Sequence, residues 1–88
     1  WNDEELKALS ARVVRAAPDD LDAHLMRAKV LCGQEHAWEA GPRSAAELME
    51  AATHFERAAA LSPAPAEKAE LAGEAASCRT RAAAMPRC

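Results

Sequence analysis

The sequence predicts an all-α protein, an antiparallel array of about four helices, on three observations. Proline and glycine cut the 88 residues into four stretches, with breaks at Pro18, at Gly33, at Gly41 with Pro42, at Pro63 with Pro65, and at Pro86. Apolar residues within each stretch recur three and four positions apart, the spacing of a single helix face. Each stretch also begins acidic and ends basic, the order that a helix dipole favours. β-Branched residues are few and never alternate with polar ones, so no stretch reads as a strand.

The first helix is expected over residues 2–17. Asn2 can cap it with Glu5 three residues on; Leu6, Leu9, Val13 and Ala17 form its stripe, and Pro18 ends it. A second, over 19–33, opens on Asp19 or Asp20 and carries Leu21, Leu25, Ala28 and Cys32, flanked by Met26, Val30 and Leu31, before Gly33 stops it. The third, over 42–62, starts either with Ser44 and Glu47 as a capping box or with Pro42 in the first turn. Its face is Leu48, Ala51, Ala52, Phe55, Ala58 and Ala59. The fourth, over 65–85, carries Ala69, Leu71, Ala72, Ala75, Cys78, Ala82 and Met85. Residues 34–41 read as a loop insertion, and the whole of 1–88 as a single helical domain.

Roughly a quarter of the chain is alanine, and its aromatic residues are Trp1, Trp38 and Phe55. Alanine favours helix but buries little area. A domain this small buries only about 60% of its unfolded surface. Close packing through small side chains is therefore expected, with a partner or further repeats supplying missing apolar surface.

A net charge of −3 and a pI near 5.6 argue against nucleic acid as a partner, because a phosphate backbone calls for a basic stripe. Arg79, Arg81 and Arg87 form the one basic run, read as solvated or as the end of a helix. No apolar run reaches the roughly 18 residues of a transmembrane segment. The acidic opening Asp3, Glu4 and Glu5 does not resemble a signal peptide. Cys32, Cys78 and Cys88 are an odd set with no close pair, which favours a reducing intracellular compartment or organelle over secretion, although one bridge stays open.

Residues 19–63 resemble a tetratricopeptide repeat, a helix-turn-helix unit whose small residues let two antiparallel helices approach closely. Ala51, Phe55, Ala58 and Pro63 in AATHFERAAALSP carry the likeness, with Ala28 at a small position, Leu31 at a large one, and His24 where the family places a large apolar residue. Pro18 resembles the end of a preceding repeat, and the helix after Pro65 the first helix of a following repeat or a terminal cap. The unit is longer than the family's roughly 34 residues, and the loop around Trp38 holds the surplus. The resemblance implies a TPR-like, non-catalytic interaction or scaffold module whose partner is another protein or peptide. It places His24, Met26, Arg27 and Lys29 on the partner face. It does not bring the family's chaperone-tail ligand, whose asparagine and lysine set is missing. One repeat with flanking helices implies a flat docking surface rather than a deep groove. The alternative is a small structural subunit folded within a larger assembly.

Trp38 reads either as a lid over the helix pair or as a partner anchor, since tryptophan is enriched at binding hot spots. His24, Cys32 and His36 are the nearest approach to a metal cluster, but a structural zinc site needs four ligands and a second pair is missing. A thiol enzyme built on Cys32 and His36 is the remote alternative; it would need a lowered thiol pKa and an oriented base. Glu67, Glu70 and Glu74 lie at helical neighbour spacings and read as a solvated face. No glycine-rich phosphate loop is present. The expectation is thus no catalytic residue, no metal and no cofactor.

Overall fold

A computed structural model describes residues 2–33 and 42–85. Among them the chain forms four α-helices and no strand: α1 (Asp3–Ala16), α2 (Leu21–Cys32), α3 (Ala45–Leu61) and α4 (Pro65–Ala84).

Local chemistry sets most of these ends. The Asn2 side chain accepts a hydrogen bond from the Glu5 amide at 2.8 Å and so caps α1. Asp20 stands at the N-cap of α2 without a capping bond from its side chain. Gly33 closes α2 in the left-handed region at φ 68°, where glycine has no Cβ to clash, and its amide reaches the Lys29 and Val30 carbonyls at 3.1 and 3.2 Å. At α3 the capping box decides between the two expected starts. Ser44 Oγ accepts from the Glu47 amide at 3.1 Å, and the Glu47 carboxylate accepts from the Ser44 amide at 2.9 Å. Pro42 therefore lies before the helix. Pro65 occupies the first turn of α4, where its missing N–H has no cost.

Consecutive helices pack against one another in order. Between α2 and α3 the cross-links run Asp19 to Arg57, His24 to His54 and Arg27 to Glu50, so one helix descends as the other climbs. The two are antiparallel. The core they share with α4 is rich in methyl groups: Ala28, Ala51, Ala52 and Ala58 are 0% exposed, and Phe55 is the largest fully buried side chain. Leu31, Cys32 and Leu48 complete this side, while Leu71, Ala75, Cys78 and Ala82 enter from α4. Ala69 and Ala72 of α4 face solvent instead. Leu21 and Leu25 are only partly buried at the margin of the core, whereas Ala23 and Val30 are buried.

The edge helix α1 is different. Its expected stripe, Leu6, Leu9, Val13 and Ala17, is only partly buried, and the one fully enclosed residue of α1 is Ser10. A serine can hold that place because it is hydrogen-bonded on both sides, as described next.

Candidate interaction surface

Four of the five expected partner-facing residues fall on described positions; Trp38 lies outside the described residues, as does His36. One of the four, His24, is buried, and a second, Arg27, is engaged within the fold. His24 is 7% exposed, with its Nε2 2.6 Å from the Pro18 carbonyl and its Nδ1 2.9 Å from Nδ1 of His54. The rings stack with centroids 5.2 Å apart. This corrects the reading of His24 as a surface residue: the place of the family's large apolar side chain is filled by a ring that satisfies both nitrogens internally.

Arg27 is likewise turned inward. Nη1 donates to the Lys7 carbonyl at 2.7 Å and to Ser10 Oγ at 3.0 Å, while Nε and Nη2 donate to Glu50 Oε2 at 3.3 and 3.2 Å. Ser10 in turn donates to the Lys7 carbonyl at 3.1 Å. One guanidinium thus ties α1, α2 and α3 together. Met26 and Lys29 remain partly exposed.

The strongest polar junction has no counterpart in the sequence reading. Arg43, just before the α3 cap, sends Nη2 to Asp3 Oδ1 at 2.6 Å and Nη1 to Asp3 Oδ2 at 2.8 Å, a two-pronged grip on the carboxylate. Nη2 also donates to the Val30 carbonyl at 2.9 Å. The start of α1, the end of α2 and the start of α3 meet on this one side chain. Its bond to Asp3 holds the guanidinium's pKa above the usual arginine value. Beside it, Lys7 Nζ lies 2.7 Å from Glu47 and 3.8 Å from both Asp3 and Glu4. That lysine is the first cause of a Glu47 carboxyl held below its ordinary range.

On the opposite side, Arg79 pairs with Glu56 and Arg81 donates to the Cys32 carbonyl at 3.2 Å, joining α4 to α3 and α2. Two members of the basic run are therefore engaged within the fold; Arg87 lies outside the described residues. The Cys32 and Cys78 thiols are buried and reduced. Burial beside Cys32 pushes the Cys78 thiol up to about 11, away from the reactive thiolate. Cys32 donates to the Lys29 carbonyl at 3.4 Å from inside the core. Among the described residues no group of three or more His, Cys, Asp or Glu could hold a metal ion, and no helix is long and apolar enough to cross a membrane.

The fold makes this an all-α, four-helix domain. Comparison with protein-family models, with curated proteins and with solved structures finds no match to this chain.

Proposed function

We propose that the chain is a non-catalytic protein–protein interaction or scaffold module of tetratricopeptide-like build, with another protein or peptide as its partner. The observation that carries this reading is the antiparallel α2–α3 hairpin, whose buried small residues Ala28, Ala51, Ala52 and Ala58 around Phe55 match the small-residue pattern that the resemblance rests on. The partly covered apolar stripe of α1, which flanks the enclosed Ser10, is the surface that suits a partner best. Leu6, Leu9, Val13 and Val14 are only partly covered there, and the buried polar groups of that helix are satisfied within the chain. Such a half-covered stripe on an edge helix is what a stacked repeat or a neighbouring helix would complete.

The same stripe favours the second reading, a small subunit folded within a larger assembly, since permanent interfaces are larger and more apolar than reversible ones. Sedimentation and thermal melting of the purified 88-residue chain separate the two: a folded monomer supports the reversible module, and a chain that folds only with companions supports the subunit. Partner binding is tested by affinity capture, identification by mass spectrometry, and titration of the captured protein with wild type and with Leu9→Glu, Val13→Glu and Trp38→Ala variants. At least one variant should weaken binding about tenfold or more with melting unchanged, since tenfold corresponds to only about 1.4 kcal/mol. Unaltered affinity in all three would refute the assigned surface, and failure to titrate any captured protein would refute the function.

A further inference from the structure

We propose that His24 and His54 form an acid-sensitive latch, which holds the α1–α2 turn against α3 while the two rings share at most one added proton, and releases it when both rings are charged. This inference does not depend on the identity of any partner.

The tautomers follow from the contacts. A carbonyl only accepts, so the 2.6 Å approach of His24 Nε2 to the Pro18 oxygen requires a proton on that nitrogen. Neutral His24 then presents a bare Nδ1, and the 2.9 Å contact with His54 Nδ1 requires His54 to donate. His54 Nε2 lies 3.3 Å from Glu50 Oε2 and is the one ring nitrogen left to take a first proton, which turns that contact into a donated hydrogen bond. A second proton has only His24 Nδ1 to occupy. Two N–H groups would then point at each other across 2.9 Å between two cations, and the inter-ring bond cannot survive. The rings have to separate, and His24 is the side chain that holds the Pro18 carbonyl.

The surroundings oppose charging of His54. Arg27 on α2 already places Nε and Nη2 on the same Glu50 oxygen that His54 uses, so that carboxylate is shared between cations. On α3, Arg57 is engaged with Asp19 of the turn at 3.3 Å. From α1, Lys7 directs its ammonium to Asp3, Glu4 and Glu47 rather than to the rings. α4 meets α3 through Arg79 and Glu56. Burial is the largest influence on His54 and lowers its proton affinity, partly offset by Glu50 and reinforced by His24 and Arg27. The sign follows: a histidine whose folded pKa is lowered adds stability above the unfolded value of about 6.5, and that stability drains away as pH falls below it.

The test is equilibrium unfolding of the full chain at pH 7.5 and pH 5.0, wild type against His54→Asn. The asparagine amide can replace Nδ1 as donor to His24 and, turned over, can accept from a charged His24, so it keeps the contact without the conflict. Wild type should lose up to about tenfold in folding equilibrium constant per pH unit below 6.5 for each proton the folded pair excludes. The variant should lose clearly less, while His36 and the carboxylates contribute equally to both. An equal acid loss in the two proteins would overturn the latch. Should His54→Asn fail to fold at pH 7.5, ¹⁵N histidine resonances of the wild type decide: His24 fixed as the Nε2–H tautomer until a cooperative acid transition supports the latch, and two rings titrating independently as free imidazoles overturn it.

Discussion

Replacing Arg43 with methionine should destabilise this domain by about 3 kcal/mol, the low end of the roughly 3–5 kcal/mol range for breaking a buried ion pair. The Arg43 side chain is 4% exposed and that of Asp3 15%, so solvent can do little to compensate the stranded carboxylate. Two features soften the loss. Asp3 keeps Lys7 at 3.8 Å, and the Val30 carbonyl keeps the Gly33 amide at 3.2 Å, so neither acceptor is abandoned. A domain of this size has about 4–13 kcal/mol in total at typical per-residue stabilities, so the change is a large fraction of what exists. Urea unfolding of wild type, Arg43→Met, Asp3→Asn and the double variant forms a cycle that isolates the pair. Its coupling should be at least about 1.5 kcal/mol, as expected for two charge-assisted hydrogen bonds. Arg43→Lys should recover little, because a single ammonium cannot grip both carboxylate oxygens and the Val30 carbonyl together. A coupling below about 0.5 kcal/mol would refute the reasoning and reduce the contact to an ordinary surface pair.

Three further outcomes are expected. Gly73 sits inside α4 with nothing within 4 Å of where a Cβ would stand, so Gly73→Ala should raise stability by about 0.5–1 kcal/mol, read as a higher urea midpoint. Enlarging Ala51 or Ala58 to leucine should overpack the α2–α3 contact and cost about 1–3 kcal/mol; unchanged melting would mean that the helices are not in methyl contact. Because Lys7 depresses Glu47, the stability gained from that pair is present above the unfolded carboxyl value and lost as pH falls through the lowered folded one. Lys7→Met should therefore start less stable at pH 6 and lose less than wild type on descent to pH 3.5, measured by urea midpoints.

Helix positions were legible in the residues because their signals are local. Asn2, Ser44 with Glu47, Gly33 and Pro65 act within a few residues of themselves, and each stands at a helix end. The alanine and Phe55 face of α3 was legible for the same reason, since its period is fixed by one helix. What could not be read was which long polar side chains turn inward. Arg27 finds Ser10 and Lys7 from 17 and 20 positions away, His24 finds His54 from 30, and Arg43 finds Asp3 from 40. In sequence each looks like a solvated charge or a surface ring. Leu21 and Leu25 pack against the core as their spacing suggests, but only at its margin, because α2 buries a broader face that brings in Ala23 and Val30.

The methyl seam between α2 and α3 has a thermodynamic corollary. Alanine has no rotamers to surrender, so closing that seam costs no side-chain entropy, whereas burying a longer residue forfeits on the order of 0.5–2 kcal/mol of rotational freedom. A chain with few bulky groups can therefore hold together on a modest gain from leaving water, because the freedom it gives up is also modest. Swapping those methyls for larger groups, even with room made for them, would trade one small loss for another rather than add strength in proportion to size.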